Sequence, residues 1–416
     1  MVPVDLPDWQ GVKGKGYTTR NPVREENDAA FQSAVIGLFN ELSSWNSSLR
    51  LSIDLIVQGR EAGSEPLTDE WDDTGEYRWD FKRGRTKALP VYRARFVEHA
   101  VIPDVACINR LQFPDQYEAL KDHQIWAGAA MEIVRHCPTL TQLRLNLDEY
   151  IRPIIWSISK RGSRATLSDG LRTIPPSLRV FNLSNQDEKP WKPRLPGLNV
   201  LSSDMDTLSA NLGHLSLSLR HLRLDHVSLA PDFLFPLDNQ GHPLASSASL
   251  HWPYLEILEF DPAPPRTVPG QWLVHATPEH LAKSHPIDDF VDWERVVCDV
   301  EEGYLDRTVL DAKHFNRLLI ALGHAARQMP RLRYIKYLLD HGCRFQFIFC
   351  TPAGRGSMAN DGDAGAKWYC EYDSSYAPDP RVAAAWGCPL VELGAETKIL
   401  DSIKELTVTI PSWPPA

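Results

Sequence analysis

The amino-acid sequence predicts a mixed α/β fold, an irregular solenoid with parallel strands on its concave face and helices on its convex face. Three observations predict it. A short apolar pattern returns every 32 to 41 residues through much of the chain. Several copies carry a proline at the same place, and amphipathic helical segments precede several of them. Repeats of this length are typical of solenoids, whose units bury their apolar faces against their neighbours.

Residues 1–27 are rich in Gly, Lys, Pro and Arg, which predicts a flexible segment. A helix and a strand are expected to follow it. Asp28 is the expected N-cap, because its carboxylate can accept a hydrogen bond from a free N–H of the first turn. The helix has one apolar stripe, formed by Phe31, Val35, Leu38, Phe39 and Leu42. Apolar and polar residues then alternate over residues 49–55, the period of a half-buried strand.

The repeated pattern places apolar residues at its first, fourth and sixth positions, which we call the three anchors. Seven copies have the anchors Ile108/Leu111/Phe113, Leu140/Leu143/Leu145, Leu178/Phe181/Leu183, Leu219/Leu222/Leu224, Leu255/Leu258/Phe260, Leu332/Ile335/Tyr337 and Ile403/Leu406/Val408. In four copies a proline stands two places before the first anchor, at Pro138, Pro176, Pro253 and Pro330. The last two intervals are about twice the others, which predicts a hidden copy in each. The alternative is an ordinary α/β domain.

Helical segments are expected before the second, fourth and sixth copies. Asp122 is the expected cap of the first, with a stripe of Trp126, Ala130, Ile133, Val134 and Cys137. The second has Leu208, Leu212 and Leu215 on one face. Asp311 precedes the third, whose stripe of Phe315, Leu318, Leu319, Leu322 and Met329 is the strongest in the chain. One repeat domain over residues 28–416 is expected, with loop insertions near 59–88, 262–290 and 351–366.

The composition narrows the class of protein. The chain has 416 residues and a net charge of −10, which argues against a general nucleic-acid binder because such proteins concentrate Lys and Arg. No apolar stretch is long enough to cross a bilayer, and the first twenty residues have no apolar signal region. Seven scattered cysteines suit reduced thiols. We therefore expect an intracellular protein, cytoplasmic or nuclear, without a membrane partner.

No pattern for catalysis or for a cofactor stands out. Cys343, Cys350, Cys370 and Cys388 with His341 are the best metal candidates, but their spacing lacks the close ligand pairs of structural zinc sites. The glycine-rich residues 354–365 lack the Gly-Lys-Ser/Thr ending of a phosphate-binding loop. A Gly-x-Ser-x-Gly elbow and a His-Glu-x-x-His motif are both missing from the sequence. We expect no cofactor, no metal and no enzyme activity.

A binding surface follows from the repeat itself. The residue between the second and third anchors points away from the core, because strand side chains alternate between the two faces. These residues are Gln112, Arg144, Asn182, Arg223, Glu259, Lys336 and Thr407. They are polar and mixed in sign, and repeat proteins bind partners on such concave faces. We expect this row to bind a protein partner; a merely solvated sheet face is the alternative.

Several segments carry a family resemblance, among them residues 138–145, residues 176–183 and His221-Leu222-Arg223-Leu224-Asp225. With residues 31–45 and 404–408, the chain resembles filamentous-fungal F-box-like proteins with irregular leucine-rich repeats. The resemblance implies a client receptor of a cullin-type ubiquitin ligase, whose F-box helices dock on the ligase adaptor. No F-box is recognisable here, because Leu6-Pro7-Asp8 is followed by a glycine-rich stretch.

The sequence therefore predicts a non-enzymatic protein–protein interaction module. A receptor of a ubiquitin ligase that lacks a recognisable F-box is the specific form that the resemblance implies. The alternative from another class is an enzyme with a site on the loops at one edge of the strands.

Overall fold

A computed structural model shows a mixed α/β fold with mostly parallel strands. The residues that the structure describes are 22–57, 92–97, 100–114, 123–147, 164–185, 199, 201, 206–279, 307–341, 343–351, 365–371, 373 and 375–393. They belong to two compact units, Met1–Leu178 and Arg179–Ala416. The predicted single repeat domain over 28–416 stays a prediction.

The first unit contains a sheet of three parallel strands together with helices and a small second sheet. Its helices are α1 (Pro22–Ser43), α2 (Ala127–Arg135) and α3 (residues 164–171). Its strands are β1 (Leu51–Asp54), β2 (Tyr92–Ala94), β3 (Ile108–Phe113), β4 (His123–Ile125) and β5 (Gln142–Asn146). The order β1-β3-β5 is parallel, and β2 pairs with β4 in a parallel two-stranded sheet.

The second unit contains a sheet of seven strands in the order β6-β7-β8-β11-β12-β13-β14. Its strands are β6 (Val180–Ser184), β7 (His221–Asp225), β8 (Ile257–Ala263), β9 (Val274–Ala276), β10 (Arg307–Leu310), β11 (Tyr334–His341), β12 (Cys343–Cys350), β13 (Gly365–Cys370) and β14 (Leu390–Glu392). Its helices are α4 (Thr207–Ser216), a 3₁₀ helix (Ala245–Ser249), α5 (Ala312–Arg327) and α6 (Pro380–Trp386).

The anchor pattern corresponds to one recurring local structure, a turn followed by a strand. In four copies the N–H of the first anchor donates to the carbonyl three residues earlier: Leu140 to Cys137, Leu178 to Pro175, Leu219 to Ser216 and Leu332 to Met329. The prolines Pro138, Pro176 and Pro330 therefore occupy the second position of a turn, where a fixed φ near −65° is favourable. This geometry explains why proline recurs two places before the anchor.

The anchors of neighbouring strands lie directly opposite each other within each unit. Leu111 pairs with Leu143 in the first unit. In the second unit the same position aligns Phe181, Leu222, Leu258 and Ile335 on β6, β7, β8 and β11. All six side chains are at most 1 % exposed. Each fully buried apolar side chain contributes about 1.5–3 kcal/mol relative to an exposed one, so these rows form the core of the sheets.

The helices bury the apolar faces that the sequence predicts, but α1 and α2 do not begin directly after the predicted capping residues. Helix α5 begins after Asp311, whose side chain accepts from the N–H of His314, and it buries the predicted stripe. Helix α1 begins at Pro22 instead of after Asp28. Asp28 is not its cap, because it lies within the helix. Its carboxylate instead accepts the N–H of Arg95 at 2.9 Å. Helix α2 begins after Trp126, and Asp122 lies outside the described residues.

Two expectations about strand order are wrong. No hidden copy lies between the fifth and sixth, because β8 pairs directly with β11 and the intervening described strands β9 and β10 form a separate antiparallel sheet. The sheet is also not all parallel, since β12 runs antiparallel to both β11 and β13. Only residue 342 separates β11 from β12, whereas a parallel neighbour needs a crossover connection of a dozen or more residues.

Several sequence expectations fall wholly or largely outside the described residues. They include residues 1–21 of the segment 1–27 that the sequence predicts to be flexible, the insertion at 59–88, residues 280–290 of the second insertion, most of 351–366 and the copy that begins at Ile403. The prediction is wrong for residues 22–27, which belong to α1. The described residues 262–279 of the second insertion include β9. Among the helices that the structure describes, none combines the length and apolar character needed to cross a membrane.

Two glycines in helices make a matched test of the packing. A Cβ at Gly323 in α5 would lie 2.8 Å from Cδ1 of Trp386, whereas a Cβ at Gly37 in α1 would meet nothing within 4 Å. We expect Gly37→Ala to stabilise the protein by about 0.5–1 kcal/mol and Gly323→Ala to destabilise it by about 1–3 kcal/mol. Urea unfolding of both variants measures this difference. Equal stabilisation by both changes would show that α5 does not pack closely on Trp386.

Candidate functional site

The predicted row of polar residues forms one continuous line across four strands of the second unit. Asn182, Arg223, Glu259 and Lys336 lie opposite one another on β6, β7, β8 and β11. All four side chains are half-buried, while the anchors on either side of each are buried. We call these four residues the polar row. The alternation of the strands places it on the face opposite the core.

Ion pairs join the polar row to the residues that surround it. The Glu259 carboxylate lies 3.1 Å from Nε2 of His221, and the Lys336 ammonium lies 2.5 Å from the Asp261 carboxylate. Arg223 donates to the backbone carbonyl of Asp261 at 3.4 Å. The hydrogen bond from His221 holds the pKa of Glu259 below its usual value, although partial burial works in the opposite direction. The face therefore carries fixed charges of both signs.

One end of the polar row offers unused hydrogen-bonding capacity. The side-chain oxygens of Asn182 and Ser184 on β6, and of Asn185 just beyond it, are buried and have no hydrogen-bond partner among the residues that the structure describes. Unsatisfied buried acceptors are uncommon in folded proteins, and each costs free energy until a donor reaches it. This end of the face is therefore the part with most to gain from a partner that brings N–H or O–H donors.

The first unit contains a shorter version of the same arrangement. Gln112 on β3 lies opposite Arg144 on β5, and its amide donates to the Asp54 carboxylate at 2.9 Å. Arg144 is exposed and has no ion pair among the described residues. Thr407, the last predicted member of the row, lies outside the described residues. Six of the seven predicted residues thus occupy the expected strand position.

The cysteine region does not bring metal ligands together in the described part of the chain. Cys350 lies opposite Gly365 and Cys370 lies opposite Phe345, so the two cysteines are separated by the length of β13, about 17 Å. Burial raises the pKa of the Cys350 thiol to about 11, against the smaller opposing effect of Lys367. Among the described residues no three His, Cys, Asp or Glu side chains cluster as metal ligands would.

A pocket that the sequence analysis missed opens at the carboxyl ends of β7, β8 and β11. Its volume is about 50 Å³, and we call it the strand-end pocket. It is lined by Val227, Leu229, Ala230, Pro231, Phe233, Phe260, Ala263, Pro264, Arg266, Thr267, Leu273, His314, Phe315, Leu318 and Tyr337. Most of the lining comes from segments between the repeat copies, which the sequence marks only as loops. The apolar character of residues 227–234 is the one signal that pointed to it.

The strand-end pocket contains a histidine that is held by a carboxylate. Nδ1 of His314 lies 2.8 Å from the Asp311 carboxylate, and Nε2 of His275 lies 3.4 Å from the same oxygen. Burial works to raise the pKa of Asp311, but the hydrogen bonds from His314 and His275 outweigh it and lower that pKa. Asp311 also caps α5, so the arrangement has a structural role. Thr267, the one hydroxyl of Ser or Thr in the lining, accepts the N–H of Gln271.

Comparison of the chain with models of known families, with characterised proteins and with solved structures finds no match. The polar row and the strand-end pocket are therefore the features from which a function can be inferred.

The Glu259–His221 pair predicts a pH dependence of stability. The pKa of Glu259 is lower in the folded chain than its ordinary 4.5. The stabilisation that the ionised Glu259 contributes is therefore complete above pH 4.5, and it is lost as the pH falls through the folded pKa. We expect the wild type to lose more unfolding free energy than Glu259→Gln between about pH 6 and pH 3. Urea unfolding at the two pH values measures this. Equal losses in both proteins would contradict the pairing.

Proposed function

We propose that this protein is a non-enzymatic protein-binding module whose strand face holds its partner. In this proposal each unit is an irregular leucine-rich-repeat-like array, with strands on the concave side and helices on the convex side. The observation that supports it best is the polar row, in which four predicted binding residues lie in register on four adjacent strands. Binding on a row of exposed strand positions is the usual mode of repeat proteins.

The chemistry of the face suggests the kind of partner. Its charges alternate in sign, and the half-buried pairs Glu259–His221 and Lys336–Asp261 hold them in fixed positions. Such a surface selects a partner by complementary charge placement and rejects one that brings like charges together. Arg144 adds an exposed cation in the first unit. We infer a folded or extended protein segment with carboxylates and amide donors at matching positions.

The more specific role follows from the family resemblance alone. In this role the chain holds a client of a cullin-type ubiquitin ligase inside the cell and contacts the ligase adaptor without a recognisable F-box. Among the described residues, Cys107, Cys137, Cys350, Cys370 and Cys388 form no disulfide, which suits a reducing compartment. Binding of the purified ligase adaptor to the full chain, measured by calorimetry, tests this role separately from partner binding.

A pair of charge-reversed double variants tests the proposed binding face. Arg144→Glu with Arg223→Glu changes one residue of the predicted row in each unit, and both positions tolerate polar side chains. Arg172→Glu with Lys313→Glu makes the same change in charge at exposed positions off the sheets. Each tagged protein is incubated with extract of the source organism, and the recovered proteins are quantified by mass spectrometry.

We expect at least one recovered protein to fall about tenfold or more with the first variant and to stay unchanged with the second. The same protein, once purified, should bind the wild type directly with the same dependence on Arg144 and Arg223. Equal recovery of every protein by both variants would contradict the strand face as the binding site. The alternative of an enzyme with a site on the loops at one edge of the strands stays a prediction.

A further inference from the structure

The strand-end pocket is lined by a tyrosine whose hydroxyl has no hydrogen-bond partner among the described residues. Tyr337 is 5 % exposed and belongs to the pocket lining. Its ring packs against Phe260 and Phe315, with centroids 5.7 Å and 6.1 Å away. No described residue hydrogen-bonds to its hydroxyl, in contrast to the buried Tyr376, whose hydroxyl donates to Asn316 at 3.3 Å. Burial raises the pKa of Tyr337, so its hydroxyl stays protonated and remains a donor.

The repeat places Phe or Leu at the third anchor in five of its seven copies, whereas this copy has Tyr337. A tyrosine hydroxyl that lines a cavity can donate a hydrogen bond to a molecule bound there. The placement of a hydroxyl inside an apolar pocket therefore points to a ligand with a hydrogen-bond acceptor.

The charged groups of the lining favour an anionic acceptor. Arg266 is 9 % exposed and contributes a guanidinium, and His314 contributes an imidazole. No carboxylate is among the residues that line the pocket, and the nearby Asp311 is already bonded to His314. Donors and cations thus outnumber acceptors around the cavity. A carboxylate is the common small anion that accepts from a tyrosine hydroxyl and from a guanidinium together.

The size and the walls of the pocket determine how large and how apolar the remaining part of the ligand is. A volume of about 50 Å³ corresponds to roughly four water-sized groups at about 10–15 Å³ each. The walls are mainly apolar and include the rings of Phe233, Phe260 and Phe315. Pockets with apolar walls and a few polar groups are typical of small-molecule sites. A compact apolar body fits these walls, and the open side of the pocket accommodates what extends beyond them.

We propose that the strand-end pocket binds a small monocarboxylic acid with an apolar body, whose carboxylate accepts from the Tyr337 hydroxyl and pairs with Arg266. The site lies on the core face of the sheet near the carboxyl ends of β7 and β8, whereas the polar row lies on the opposite face. Binding here is independent of the protein partner proposed above.

Benzoate and its neutral isostere benzamide test this proposal on the full-length chain. Ligand-observed NMR or calorimetry is expected to show saturable benzoate binding with a Kd at or below about 1 mM, and at least tenfold weaker binding of benzamide. Ala230→Phe, which fills the pocket from a half-buried position, should abolish binding without unfolding the protein. No saturable binding of benzoate, or equal affinity for benzamide, would overturn the proposal.

Two tyrosine variants separate ligand recognition from a structural effect. Tyr337→Phe removes only the unused hydroxyl, so we expect an unchanged or higher melting temperature and roughly tenfold to a hundredfold weaker benzoate binding. Tyr376→Phe removes a hydroxyl that bonds to Asn316, so it should lower stability and leave benzoate affinity unchanged. Retained benzoate affinity in Tyr337→Phe would overturn the assigned role of Tyr337.

Discussion

Leu222→Asp is expected to unfold the second unit at room temperature. Leu222 is fully buried, and it lies opposite Phe181 on one side and Leu258 on the other. An ionised carboxylate at this position would have no partner, and burying an unpaired charge costs more than most domains have in stability. Circular dichroism and urea unfolding measure the effect, with a loss of about 5 kcal/mol or more expected.

The control for this variant changes the neighbouring residue on the opposite face. Arg223→Asp introduces the same side chain one position along β7, where the site is half-buried and polar. It should leave the protein folded, with a loss of about 1 kcal/mol or less. Leu143→Asp makes the equivalent test in the first unit, where Leu143 lies opposite Leu111. A melting temperature unchanged by both leucine variants would contradict the buried rows of anchors.

Trp386→Ala is expected to cost about 3–5 kcal/mol, the range measured when large aromatic side chains are removed from cores. Trp386 is fully buried at the end of α6, with its ring centroid 4.9 Å and 4.8 Å from those of Phe347 and Phe349 on β12. Its indole N–H donates to the carbonyl of Leu319 in α5 at 2.9 Å. The change therefore removes the side chain that joins two helices to the antiparallel strands.

Trp386→Phe separates the two contributions of this residue. It keeps an aromatic ring against β12 but loses the hydrogen bond to Leu319, so we expect about half of the loss seen with alanine. Chemical unfolding of both variants gives the values. A loss below about 1 kcal/mol for Trp386→Ala would show that α6 does not pack against the sheet as described.

The parts of the fold that could be predicted are those that depend on neighbouring residues in the sequence. The stripe of α5 and its capping Asp311 lie within one helix, so the 3.6-residue period was sufficient to predict them. The polar row was predictable for the same reason, since alternation along each strand decides which face a side chain occupies. The turns before β5, β6 and β11 were marked by the prolines Pro138, Pro176 and Pro330.

The parts that could not be predicted depend on distant pairings. Neither the antiparallel pairing of β11 with β12 nor the direct contact of β8 with β11 is encoded in a local period. The alternation of Phe345, Phe347 and Phe349 has the period of a strand, but such a period carries no information on the direction of the strand. The pairs Glu259–His221 and Lys336–Asp261 join residues on different strands, so they required the register between those strands.

The register of β8 against β11 tests the account most directly, because it places Glu259 opposite Lys336 although they are far apart in the sequence. Neighbouring strands lie about 4.8 Å apart, within the range that a disulfide spans. Glu259→Cys with Lys336→Cys should therefore form a disulfide on mild oxidation, detected by peptide mass mapping. Arg223→Cys with Lys336→Cys, two strands apart, should not. Failure of the first pair, or equal bonding in both pairs, would contradict the stacked rows of strand residues.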